Sequence, residues 1–156
     1  MKTWYGKAAM VLAAGLLFLT ALPAETQAGA CKATEPDMPG PFYKPQAPIR
    51  SSVGMGYALQ GTVRSSKDCA PVPGATIEFW LAGPDGEYDD AHRATVIADA
   101  SGSYRFESDV PQPVVGRPPH THIRVSAKGF KTLVTQHYPE PGKRGAVFDL
   151  VLVPSP

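Results

Sequence analysis

Pro73-Gly74-Ala75-Thr76-Ile77-Glu78-Phe79-Trp80, followed by Gly83-Pro84-Asp85-Gly86, is the stretch that decides the fold. Ile77 and Phe79 alternate with Glu78 and Trp80, and Gly and Pro bound the run on both sides. Period-two alternation between turn residues marks a β-strand with one face in a core. The same unit recurs in both directions, at 57–63, 94–98, 103–107, 120–126, 131–137 and 146–153. Seventeen prolines and fifteen glycines punctuate the 156 residues. Outside the N-terminal segment no window carries apolar residues at helical spacing. These patterns predict an all-β fold: a single β-sandwich domain of about seven to eight strands with long irregular loops. Residues 31–52 are Pro-rich and read as an extended arm. Residues 110–119 carry four prolines and read as a loop.

The N-terminus has a different character. Lys2 and Lys7 precede a nearly unbroken apolar run at 8–22, closed by Pro23 and followed by Ala28-Gly29-Ala30. This is the pattern of a signal peptide over 1–30, cleaved to leave a domain at 31–156. The run is short for a membrane span. Ala28 stands where a lipobox carries a larger aliphatic residue, which argues against lipidation at Cys31. The expected destination is secreted or periplasmic. Removing Lys2, Lys7 and Glu25 leaves basic and acidic residues balanced, so nothing points to nucleic acid or an anionic membrane. Cys31 and Cys69 are the only cysteines, and an oxidising compartment makes a disulfide between them the expectation.

Chemistry concentrates in Arg117-Pro118-Pro119-His120-Thr121-His122. On a strand, alternation sends His120 and His122 to one face and Thr121, Ile123 and Val125 to the other. Two imidazoles so placed can share a metal, although taken alone the pair reads more readily as a solvent-facing row. Tyr88 leaves the Gly83-Pro84-Asp85-Gly86 turn, and a tyrosinate oxygen is a hard anionic ligand suited to ferric iron. Asp89, Asp90 and His92 are alternative donors beside it, and a packed aromatic is the plainer reading of Tyr88.

Several segments together resemble the intradiol ring-cleavage dioxygenase family, especially its short secreted members. They are Gly40-Pro41-Phe42-Tyr43, Gly61-Thr62-Val63, Pro71-Val72-Pro73-Gly74-Ala75, Ile77-Glu78-Phe79-Trp80 and Gly86-Glu87-Tyr88. Further along come Asp99 to Phe106, the Arg117 to His122 signature, Thr135-Gln136-His137-Tyr138 and Phe148-Asp149-Leu150-Val151-Leu152. The resemblance spans nearly all of 31–156. It implies a non-haem Fe(III) site held by two tyrosines and two histidines, with Tyr88, His120 and His122 as three of the four. It also implies Arg117 as the active-site arginine and Gln136 as its companion. The implied reaction inserts O₂ into catechol-type aromatic diols and yields muconate-type diacids.

One departure stands out. The second tyrosine falls at Val114, which cannot bind metal. Tyr43, Tyr104, Tyr138 and His137 are candidates for the vacancy, with Tyr104 more naturally kept on its strand. A Tyr-His-His set with open positions also suits copper or zinc. Two other functions stand beside the dioxygenase: a metal-binding member with altered or lost activity, and a non-catalytic carboxypeptidase-regulatory-like binding module. No nucleophile elbow frames a serine, so a hydrolase finds no support.

Overall fold

Strands with one apolar face must bury it against another such face, and two sheets packed face to face are the simplest solution. The computed structural model describes Met1, residues 30–114 and residues 116–156. The predicted signal peptide therefore lies outside the described residues, apart from its two end positions. Eight strands form: β1 (Gly56–Ser65), β2 (Thr76–Trp80), β3 (Arg93–Ile97), β4 (Ser103–Asp109), β5 (Thr121–Ser126), β6 (Leu133–His137), β7 (Gly145–Val147) and β8 (Leu150–Leu152). One sheet runs β4-β1-β7, with β8 also on β1, and the other runs β3-β2-β5-β6. The predicted sandwich is the observed one. Among the described residues no helix is long and apolar enough to cross a membrane.

The core lies where alternation put it. Ile77, Phe79, Ile123 and Val125 face inward from one sheet, and Leu59, Val63, Phe106 and Leu150 meet them from the other. Phe79 and Phe106 stack across the gap with centroids 4.2 Å apart. Burying each such side chain contributes about 1.5–3 kcal/mol.

One expected strand is broken. The run 146–153 divides into β7 and β8, both parallel to β1. Polar demands on its middle residues cause the break. The Asp149 carboxylate accepts from Thr62 N at 2.8 Å and Arg64 Nε at 2.9 Å. The Phe148 carbonyl accepts from the Tyr104 hydroxyl at 2.6 Å. Gly61 admits this carbonyl against β1, where a Cβ would collide with it.

The Pro-rich arm wraps both sheets. Its amides at Thr34, Asp37 and Arg50, and that of Val53 just after it, donate to carbonyls of Val151, Val134, Thr95 and Glu107. These contacts cover strand edges that would otherwise be open to pairing with other chains. The arm starts at a disulfide between Cys31 and Cys69, with Cα atoms 5.1 Å apart and 38 residues of separation. Closing a loop of that length removes unfolded-state entropy worth about 4 kcal/mol. Reduction, or Cys69→Ser, is expected to lower unfolding stability by about that amount. Urea unfolding with and without reductant measures it; coincident curves would contradict it.

Candidate metal centre

Register builds the site. In the antiparallel ladder His122 sits opposite Trp80 on β2 and opposite Gln136 on β6. Directly paired residues share a face, so these three form one row on the side away from Phe79 and Ile123. Trp80 lies flat on His122, with centroids 5.0 Å apart and planes 3° from parallel. His120, one residue before β5, joins the same face. The two histidines are not solvent-facing: they are only 3% and 2% exposed.

Tyr88 arrives from the β2–β3 connection. Gly86 N donates to the Gly83 carbonyl and Gly83 N to the Glu87 carbonyl, and this closure turns the next residue over the histidines. Tyr88 Oη is 3.2 Å from His120 Nε2 and 3.3 Å from His122 Nε2. The two Nε2 atoms are 3.2 Å apart. Phe42 of the arm stacks on the Tyr88 ring at 4.4 Å. Gly40, at φ +68°, lets the arm pass so close that a Cβ would sit 3.0 Å from His122 Cε1.

This triangle of donor atoms fits a metal ion. With bonds of about 2.0–2.2 Å to nitrogen and oxygen, edges of this size correspond to angles of roughly 100° at a common ion. The donor atoms also have the right character. His120 Nδ1 lies 2.8 Å from the Pro118 carbonyl. A carbonyl only accepts, so Nδ1 carries the proton and Nε2 keeps its lone pair. Burial, reinforced by His120 and Arg117, pushes His122 down to about 4, so it is neutral near pH 7. Burial raises the Tyr88 phenol while Arg117 opposes the rise, so the metal-free phenol is neutral and metal binding would have to displace its proton. Among the described residues no three His, Cys, Asp or Glu form a metal-binding group; here the third donor is a phenol.

The depressed His122 has a consequence for stability. The unfolded chain takes up a proton near pH 6.5, the folded one only near 4. Stability of the metal-free protein is therefore full above about 6.5 and falls as the pH drops toward 4, by up to about 3 kcal/mol. Urea midpoints across that range should decline; a flat profile would contradict the assignment.

The neighbouring donors turn away. Asp89 Oδ1 accepts from the backbone of Ala91 and His92 and lies 2.7 Å from His92 Nδ1. Asp90 pairs with Arg93 and Lys44. Val114 lines the same cavity as Tyr88, His120 and His122, and none of the four candidates takes its place. The hydroxyl of Tyr43 donates to Glu78 and that of Tyr104 to the Phe148 carbonyl. His137 Nε2 is engaged with the Tyr57 hydroxyl at 2.7 Å. Tyr138 lies beside His120, with ring centroids 6.0 Å apart, but its hydroxyl donates to Asp37 at 2.9 Å and accepts from Arg117 at 3.0 Å.

Arg117 enters the cavity wall beside His120. Its Nη2 donates to Gln136 Oε1 at 2.9 Å, and Gln136 Nε2 donates to the Met38 carbonyl at 2.7 Å. Arg117 and Gln136 are thus hydrogen-bonded to one another beside the cavity. Sequence reading missed Tyr138 and Asp37 as its supports. Tyr138 follows Gln136 by two residues, so strand alternation already put it on the same side.

No family model matches the chain. Chlorocatechol 1,2-dioxygenase of Pseudomonas sp. (strain P51) is 30% identical over 169 aligned positions, covering 82% of this chain and 67% of that protein. Hydroxyquinol 1,2-dioxygenase of Corynebacterium glutamicum is 34% identical over 140 positions, covering 69% of this chain and 46% of that protein. The chain thus spans between about half and two thirds of the length of these relatives. The dioxygenase domain of a dioxygenase–carbohydrate-binding fusion from Streptomyces sp. SirexAA-E superposes with a TM-score of 0.70 at 27% identity, covering 80% of this chain and 100% of that one. An intradiol ring-cleavage dioxygenase from Tetranychus urticae has the same fold, with a TM-score of 0.70 at 17% identity over 80% of this chain and 96% of that one.

Proposed function

The chain belongs to the intradiol ring-cleavage dioxygenase family, and from that premise we propose that it is an exported enzyme that inserts O₂ into catechol-type aromatic diols. Members of the family use non-haem ferric iron. The observation that carries the reading is the convergence of Tyr88, His120 and His122 within 3.3 Å of one another, beside Arg117. Export is supported by the Lys2 to Ala30 pattern and by the Cys31–Cys69 disulfide, which persists in an oxidising compartment.

Tyr88, His120 and His122 would hold the iron, which when bound supplies Lewis acidity toward both oxygens of the diol and opens the ring to O₂. The chain's own residues do the rest. The Pro118 carbonyl fixes the His120 tautomer, and Trp80 fixes the plane of His122. Pro41, Phe42 and Val114 add apolar lining beside the buried histidines. Arg117 stabilises the negative charge that builds on the ring. Val114 offers no base, so no side chain at that position takes a proton from the diol.

The test uses the cleaved protein loaded with ferric iron and freed of unbound metal. A tyrosinate-to-iron band that shifts with catechol under air, then decays as muconate absorbance rises, is expected. Parallel loading with Cu(II) or Zn(II) checks the metal. A second reading, a member that binds metal without turnover, is favoured by Val114 alone. It predicts a band that shifts and persists. No ferric band at all would remove iron from both readings, and a failure to load Cu(II) or Zn(II) as well would remove the metal centre.

A further inference from the structure

We propose that the diol this site takes carries a bulky apolar substituent, an alkyl or aryl group, and that Val114 and Phe42 make room for it. The inference rests on the dioxygenase reading above and names its substrate class. The cavity over the donor triangle measures about 280 Å³. A dry cavity of about 150 Å³ is enough to hold benzene. Part of that space belongs to the metal the donor triangle would hold, and what remains exceeds one unsubstituted ring and leaves room for a substituent toward Phe42 and Val114.

The chemistry of the walls says what that group is. Polar atoms come from Tyr88, Arg117, His120 and His122, while Gly40, Pro41, Phe42 and Val114 supply the rest of the lining, Phe42 against Tyr88 and Gly40 against His122. Val114 stands where the family carries a tyrosine, and its short branched side chain turns a ligand position into open apolar wall. Phe42 lies on Tyr88 by one face, yet remains 47% exposed at the mouth. An apolar ring left half-uncovered beside a ligand cavity is surface that a substituent can bury. A charged substituent finds no cation of its own. Arg117 is the only cation among the lining residues, and in the reading above its charge serves the ring itself. The nearby Asp37 carboxylate, which holds the Tyr138 hydroxyl, repels an anionic group.

The experiment is an anaerobic titration of the ferric-loaded protein with catechol, 4-phenylcatechol and 3,4-dihydroxybenzoate, with Kd read from the shift of the charge-transfer band. 4-Phenylcatechol is expected to bind about tenfold tighter than catechol, which is about 1.4 kcal/mol. Dihydroxybenzoate is expected to bind more weakly than catechol. Val114→Phe adds bulk without a phenol oxygen and is expected to erase the phenylcatechol advantage. Phe42→Ala, at the rim, is expected to reduce it severalfold. Equal affinities for the three diols, or a ratio unmoved by both substitutions, would overturn the substituent inference while leaving the ferric site standing. The absence of any band with any diol would remove the ferric reading and this inference with it.

Discussion

Substituting His122 by Ala is expected to abolish stoichiometric iron binding and, with it, ring cleavage. The residue supplies one of three converging donor atoms, and with Val114 in the wall no fourth side chain among the described residues compensates. Even losing an outer hydrogen-bond partner of a metal ligand costs 10–100-fold in affinity, so losing the ligand should cost more than about 100-fold. The fold should survive. His122 faces away from the sandwich core, and its neighbours there are Trp80, Tyr88 and His120. Emptying that space costs about 2 kcal/mol, part of which returns below pH 6.5 because the neutral buried imidazole is no longer required. Iron content per chain, the visible band and a melting curve measured together decide the matter. A His122→Ala protein that keeps one iron and the wild-type spectrum would show that the donor triangle is not the metal site.

Arg117→Ala is expected to do the opposite: iron and its band are retained, while kcat falls by about 10²–10³. The guanidinium is not part of the triangle. It is held by two neutral partners, Gln136 and the Tyr138 hydroxyl, rather than by a carboxylate. Its charge is therefore not cancelled at close range and stays directed at the cavity, where charge on the ring would develop. Arg117→Lys should recover only part of the loss. A lysine is a point charge without the planar fork that Gln136 and Tyr138 position. Turnover at saturating diol, normalised to bound iron, is the measurement. A wild-type rate in Arg117→Ala would remove the residue from the chemistry, and loss of iron would assign it to the site's structure instead.

How much of the fold and the site is legible in the sequence follows from the range over which each signal acts. Alternation is local, so seven runs read as strands, and it suffices to place Ile77, Phe79, Ile123 and Val125 on the inward faces they occupy. The same period puts His120 and His122 on one face. It does not say that the face is buried. That depends on residues 40–42 of the arm, some eighty positions away in sequence, passing over His122. The run at 146–153 reads as continuous because nothing in it reports that Asp149 turns to serve Thr62 and Arg64 on another strand.

The donor set divides in the same way. Residue identity, strand period and compartment chemistry suffice for the sandwich, for the Cys31–Cys69 pairing and for placing His120 and His122 on one face. Tyr88 as their partner, and Val114 as the position that lacks a phenol, come from the resemblance to the intradiol dioxygenases and not from any local pattern. Tertiary structure alone decided that Tyr88 rather than Asp89, Asp90 or His92 meets the histidines, because the Gly83–Gly86 closure aims one residue and lets the others satisfy the loop. It alone decided that Tyr43, Tyr104, Tyr138 and His137 leave the position of Val114 unfilled, each being held by a hydrogen bond elsewhere. And it alone tied Arg117 through Tyr138 to Asp37, a link between an arm and a strand about a hundred residues apart. Such contacts follow from how non-local segments pack, and a pattern with a period of two residues carries no information about them.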